Sequence, residues 1–338
     1  MLMLLIFTGL SSCKKSNSET RTKTYCGLFD SFVQIGSYSN ESEESFNKNC
    51  EEVKNLLEYY NKLFDIYNEY DGMNNLCSVN RQAGLHSVAV DKELIDFIEY
   101  SIALSKKCGL EVNIAMGSVT RIWHDARESA NALNQPYLPL DSDLEEAYLH
   151  TNIDSIVIDR ENSTILITDP LTRIDVGAIA KGYAAARAAE LLRSRGADGY
   201  VLNLGGNLVA IGTKSNGDGW ITGITNPDKN GENSFAARIK ISNISCVTSG
   251  DYERYFSFNG KEYHHIIDKD TLMPAEYFRS VTVLCADSAV ADALSTALFC
   301  MSIEDGRELI RQFDNVEVIW ILQDMTIVKT DGVEFLAQ

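Results

Sequence analysis

Between Ser163 and Arg195 the chain changes period, and that change limits what it can fold into. Ser163–Ile174 (STILITDPLTRI) alternates like a strand, whereas Ala184–Arg195 carries helical spacing. The join, Asp175–Tyr183, reads DVGAIAKGY, a glycine-alanine turn where a helix begins. A strand entering a helix this way leaves backbone N–H groups free at the helix start, a seat for phosphate oxygens. Lys181 adds a point charge there, and Asp175 is placed to hold a ribose hydroxyl or a metal-bound water. An ordinary surface helix opening with an aspartate cap accounts for the same residues.

Ala286–Met301 (ADSAVADALSTALFCM) reads as a helix with Val290, Leu294, Ala297 and Met301 on one apolar stripe. Asp292 and Thr296, four apart, share a face among apolar neighbours. A carboxylate there is costly to bury unless paired or metal-bound. Carboxylate plus hydroxyl on one turn makes a small, hard oxygen site suited to magnesium. Alternatively, Thr296 back-bonds to its own helix and Asp292 caps or pairs with an arginine.

Three further stretches are polar punctuation between strands. Val201–Gly212 (VLNLGGNLVAIG) reads as two strands joined at Gly205-Gly206. Ser249–Arg254 (SGDYER) is a polar turn. His264–Pro274 (HHIIDKDTLMP) ends a strand with two histidines, a setting more often structural than catalytic.

In this order and spacing, these stretches resemble the FAD:protein FMN transferases, the ApbE-type flavin transferases. The family pattern is roughly D-[LV]-G-[GA]-I-A-K-G-Y, V-N-x-G-G-D, S-G-x-Y-x-R, H-I-I-D-P-x-T-G-x-P and A-D-A-x-[AS]-T-A. The likeness runs from about Phe29 to Asp305 and is looser in the first half. There, Asn68–Asn80 resembles the segment with a flavin-contacting tyrosine ten residues before an asparagine, here Tyr70 and Asn80. Gly109–Trp123 resembles G-x-x-D-x-T-x-G-x-L-x-x-x-W. The chain departs from the pattern at Phe29-Asp30-Ser31 (usually Met-Gly-Thr), at Asn113 and Asn207 (each usually Asp), and at Lys269 and Leu272 (usually Pro and Gly).

The resemblance implies a reaction. The hydroxyl of a threonine on an acceptor protein attacks the FMN-side phosphorus of FAD, AMP leaves, and FMN stays attached. It implies flavin-site roles for Phe29, Tyr70, Glu111, Val112, Asn113, Asp175, Lys181 and Ile266. Magnesium is expected at Asp292, Thr296 and a backbone carbonyl at Ala178. His265, with an unperturbed pKa near ~6.5, suits proton acceptance from the threonine. Alternatives are a magnesium-dependent FAD pyrophosphatase that makes FMN and AMP, a flavin-binding lipoprotein without catalysis, and a redox flavoprotein that retains FAD.

Composition agrees with one substantial domain. The 338 residues are 45% hydrophobic and contain no repeat, enough for a sizeable core. With 30 basic against 48 acidic residues the net charge is −18, which argues against nucleic acid and against a polybasic membrane surface. No G-x-G-x-x-G is present. The expected fold is α/β (α+β) with mixed, largely antiparallel sheets and packed helices, not a Rossmann fold, and the resemblance implies that it is ApbE-like. Ser45–Phe64 and Lys92–Lys107 read as helices, the former with Phe46, Cys50, Val53, Leu57, Tyr60 and Phe64 on one stripe. Strands are expected over Ile153–Leu166 and Tyr200–Val283.

The N-terminus gives an expected address. An apolar run ends Leu10-Ser11-Ser12-Cys13, like a bacterial lipobox, and Lys14–Lys23 follows as a polar tether. The run is too short to span a bilayer and lacks a basic n-region, so the natural start is expected to lie further upstream. Residues 1–25 are expected to be lipoprotein signal and tether, and 26–338 the flavin transferase domain. That places the protein at the cell membrane, lipid-anchored on the extracytoplasmic face, with a membrane-bound redox subunit as acceptor. The other seven cysteines show no C-x-x-C spacing, so neither a disulfide framework nor zinc is expected. Cys246, Cys285 and Cys300 read as buried thiols.

Overall fold

The computed structural model describes residues 19–228, 231 and 233–337. In chain order the strands begin with β1 (Glu19–Leu28) and β2 (Ser31–Ser39). Helices α1 (Glu43–Leu63) and α2 (Leu76–Arg81) follow, then β3 (Val88–Ala89), α3 (Lys92–Lys107), α4 (Gly117–Leu133) and α5 (Asp141–Tyr148). Next come β4 (Ile156–Asp159), β5 (Thr164–Ile167), α6 (Ala180–Ser194), β6 (Tyr200–Leu204), β7 (Asn207–Ile211), β8 (Trp220–Thr225) and β9 (Phe235–Ile241). The chain ends with β10 (Ser245–Gly250), β11 (Tyr255–Phe258), β12 (Lys261–His264), β13 (Phe278–Cys285), α7 (Ser288–Ala297), α8 (Ile303–Ile310), β14 (Glu317–Leu322) and β15 (Ile327–Lys329).

Eight strands form one sheet in the order β1-β2-β6-β7-β10-β13-β14-β15. Every pairing in it is antiparallel. The fold is thus the expected mixed α/β type, without the parallel sheet of a dinucleotide-binding fold. β6 and β7 are buried at every position because both sheet faces are covered. Helices α1, α3, α6 and α7 cover one face in the main core. The β8–β9 hairpin covers the other, with Trp220, Ile224 and Ile239 against Leu208 and Ile319. The Gly205-Gly206 turn joins β6 to β7 at φ +55° and +97°, a shape glycine reaches without strain.

A third core carries the site-bearing hairpin. Trp123 and Val119 of α4 pack with Phe256, Tyr263 and Leu272, and Trp123 Nε1 donates to the Leu272 carbonyl at 2.9 Å. Leu272, standing where the family pattern has glycine, adopts φ +59°. Asp268 holds that loop by accepting from the Asp270 and Thr271 N–H groups.

Three sequence expectations change. The strand expected over Ser163–Ile174 stops at Ile167, because Pro170 cannot continue a ladder. The strand region expected from Ile153 begins at Ile156, after one 3-10 turn at Ile153–Ser155, and its strands β4 and β5 form a three-stranded sheet with β3. β1 begins at Glu19 and pairs with β2 from Glu19↔Ser39 onward, so residues 19–25, given above to the tether, form an edge strand. Cys13 and the lipobox lie outside the described residues. Six of the seven described cysteines are buried, Cys246, Cys285 and Cys300 among them, and Cys26 is exposed.

Candidate active site

One cleft of about 660 Å³ opens beside the main sheet, a size typical of small-molecule sites. Its walls come from the β1–β2 turn, the α1–α2 and α3–α4 loops, the start of α6, the turn after β12, and α7. Phe29, Tyr70, Glu111, Val112, Asn113, Asp175, Ala178, Lys181, His265, Ile266 and Thr296 all line it. Asp292 alone of the expected residues does not; it lies buried on α7, one turn before Thr296.

The Asp292 carboxylate is enclosed, and burial pushes its pKa up, opposed by Lys181, the Gly182 N–H and the Asn207 side chain. Gly182 N donates to Asp292 Oδ2 at 2.7 Å. Gly182 is required there: a Cβ would stand 2.3 Å from the Ser288 carbonyl and 2.5 Å from Asp292 Cβ. Asn207 is buried, with Nδ2 forming no well-shaped hydrogen bond. A second carboxylate at that position would add like-charge repulsion to Asp292. Thr296 Oγ1 lies 3.3 Å from Ser249 Oγ. A buried carboxylate and, one turn on, the hydroxyl of a cleft-lining threonine fit a hard cation, which would compensate the enclosed charge.

The opening of α6 differs from the expected phosphate seat. Ile179 and Ala180 both donate to the Val176 carbonyl at 2.9 Å, and Gly177 donates to Asp175 Oδ1 at 2.9 Å. With Gly182 bound to Asp292, the turn has closed most of its own N–H groups. Lys181 is left to supply the positive charge. Asp175 is fixed by Thr120, whose hydroxyl donates to Oδ2 at 2.6 Å.

The two adjacent histidines separate completely. His264 is buried; Nε2 donates to the Ala275 carbonyl at 2.8 Å and Nδ1 accepts from Ile266 N at 3.2 Å. Both nitrogens are spent. His265 is exposed and faces the cleft. The crowding walls push its pKa well below the ordinary value, as do the charges of Arg254, His264, Lys181 and Arg127. Its ring is therefore neutral at neutral pH.

The flavin-site expectations gain detail. Phe29 and Asp30 form a two-residue turn at φ +53° and +51°, a conformation normally left to Asn-Gly, and Phe29 N donates to Asn61 Oδ1 at 2.7 Å. Asn113 is tied down by the Thr151 carbonyl and the Ala115 N–H, so its side chain shapes the loop. Glu111 pairs with Lys269 at 3.3 Å; burial pushes its pKa up against that lysine. Tyr70 spends its hydroxyl on Asp65 Oδ2 at 2.8 Å.

Sequence reasoning missed Tyr67, His124 and Arg127, and gave no site role to Arg254, which closes the SGDYER stretch. Tyr67, 46% exposed, stacks on His124 at 4.8 Å between centroids. His124 Nδ1 accepts from Arg127 Nη2 at 2.9 Å and lies 3.2 Å from the Tyr67 hydroxyl. The available signal was the tyrosine three residues before Tyr70.

Fold and cleft together define an antiparallel α/β protein whose cleft sets the cations Arg127, Lys181 and Arg254 among aromatic and acidic side chains. The chain belongs to the ApbE family, whose model matches residues 29–320. It is 29% identical over 350 residues to the FAD:protein FMN transferase of Treponema pallidum, covering 98% of this chain and 93% of that one. To the protein of that name from Klebsiella pneumoniae it is 27% identical over 275 residues, covering 79% and 83%. The crystal structure of the ApbE protein from Thermotoga maritima superposes with a TM-score of 0.80 at 26% identity, covering 93% and 97%. The flavin transferase ApbE from Vibrio cholerae shares the fold at a TM-score of 0.74 and 22% identity, with the same coverage.

Proposed function

We propose that this chain transfers FMN from FAD to a threonine hydroxyl of an acceptor protein, releasing AMP, with magnesium bound at Asp292, Thr296 and the Ala178 carbonyl. The carrying observation is one cleft that brings an exposed, neutral His265 together with Lys181 and Thr296, with the buried Asp292 one turn before Thr296 on α7. The named FAD:protein FMN transferases among its relatives support the reaction. Phosphoryl transfer needs positioning and charge neutralisation more than a protein nucleophile.

His265 accepts the proton of the attacking hydroxyl. The new bond joins that oxygen to the FMN-side phosphorus, and the bond to the bridging oxygen breaks as AMP departs. Lys181 offsets charge on the phosphates, and Asp175, held by Thr120, orients a ligand hydroxyl. Magnesium, when bound, would neutralise pyrophosphate charge. Incubation with FAD, magnesium and a candidate acceptor tests the reading by intact mass of the acceptor and assay of AMP. FMN and AMP without acceptor mass gain would mean water is the acceptor; retained FAD without AMP would mean a binder.

The same reading places the protein outside the cytoplasm, lipidated at Cys13, with a membrane-bound redox subunit as acceptor. The LSSC run supports this. Among the described residues no helix is long and apolar enough to cross a membrane, so attachment would fall to the lipid. Cys13→Ser should release the protein from the membrane fraction; wild-type protein found wholly in the cytosol without a lipid-modified N-terminus would sink the assignment.

A further inference from the structure

Arg254 and His265 flank the open end of a hairpin. The β11–β12 ladder runs to the pair Tyr255–His264, and Arg254 and His265 are the residues next to that last pair on the two strands. The Arg254 charge is near enough to act on the His265 ring. Both residues are exposed and both line the cleft. Arg127 reaches the same cleft from α4. One turn further along that helix, Asn131 Nδ2 donates to the Tyr255 carbonyl at 3.2 Å, which fixes α4 beside the hairpin end.

These guanidiniums are short of carboxylates. Arg254 makes no ion pair among the described residues, and Arg127 meets Glu128 only at 4.0 Å. Glu253 lines the cleft without pairing to Arg254. In a chain of net charge −18, two cations left open beside the base mark a place for an incoming anion.

In-line transfer decides which anion. Attack and departure occur on opposite sides of phosphorus. His265 takes the proton of the attacking hydroxyl, so it and the adjacent Arg254 lie on the entry side, away from the leaving AMP. We propose that Arg254, backed by Arg127, reads the acceptor: it binds the carboxylate of an acidic residue flanking the modified hydroxyl. A planar guanidinium suits such a partner through paired hydrogen bonds. The inference rests on the transferase reading above.

The test uses the enzyme with FAD, magnesium and synthetic peptides carrying one threonine, with Asp, Asn or Lys at each position from three before it to three after it. FMN incorporation is read by mass, and FAD affinity by flavin fluorescence. Wild type should label peptides with Asp at one position about tenfold or more faster than those with Asn or Lys there. Arg254→Ala should abolish that preference and leave FAD affinity unchanged; Arg254→Glu should shift preference to Lys. Absence of an acidic preference in wild type would overturn the proposal, as would its persistence in Arg254→Ala. An equal loss in FAD affinity would assign Arg254 to the FAD site instead. FAD split to FMN and AMP with no peptide labelled would remove the transferase reading and this inference together.

Discussion

Gly182 N donates to Asp292 Oδ2 at 2.7 Å, and no side chain fits at position 182 without pushing α6 off α7. Gly182→Ala should therefore destabilise the protein by about 1–3 kcal/mol, the usual cost of overpacking a close contact. Urea unfolding checks it; an unchanged midpoint would mean the two helices do not approach this closely.

Asp292→Asn keeps an acceptor for Gly182 N and removes the negative charge. The variant should fold and bind FAD yet lose turnover, while Asp292→Ala should also lose stability, since it strands a buried N–H at about 1–3 kcal/mol. Undiminished FAD turnover in Asp292→Asn, with a chelator still without effect, would remove the magnesium assignment.

His265→Ala should retain FAD binding and lose FMN transfer. The pH profile carries a sign. A base must be neutral, and the pKa of His265 is lowered, so kcat/KM should hold below ~6.5 and fall only at more acid pH. Loss of activity already at or above that value would contradict the geometry. His264→Ala should act through stability, because both its nitrogens are bonded inside the fold.

Tyr67 offers an exposed ring on His124, whereas Tyr70 ties its hydroxyl to Asp65. Tyr67→Ala should weaken FAD binding about tenfold, the order expected for a lost base–aromatic stack. Tyr70→Phe should change FAD affinity little, since the ring stays. Flavin fluorescence titration ranks the two; the reverse order would return the stacking role to Tyr70.

Much of this molecule was local and hence legible in sequence. The apolar stripe of α1, the Gly205-Gly206 hairpin and the α6 opening follow from spacing and turn chemistry within a few residues. So does the cost of placing Asp292 on an apolar helix. Folding decided what depends on distant partners. His264 and His265 are neighbours with the same composition around them, and only packing of His264 against Phe299 and Ala275 leaves His265 as the free imidazole. Spacing within β10–β12 did not reveal that Arg254 and His265 meet at one cleft, nor that α4 brings Arg127 to it, because both depend on how the hairpin closes and on a core built from residues over a hundred positions apart. Periodicity records which face of an element is apolar; which faces meet is settled by burial across the whole chain.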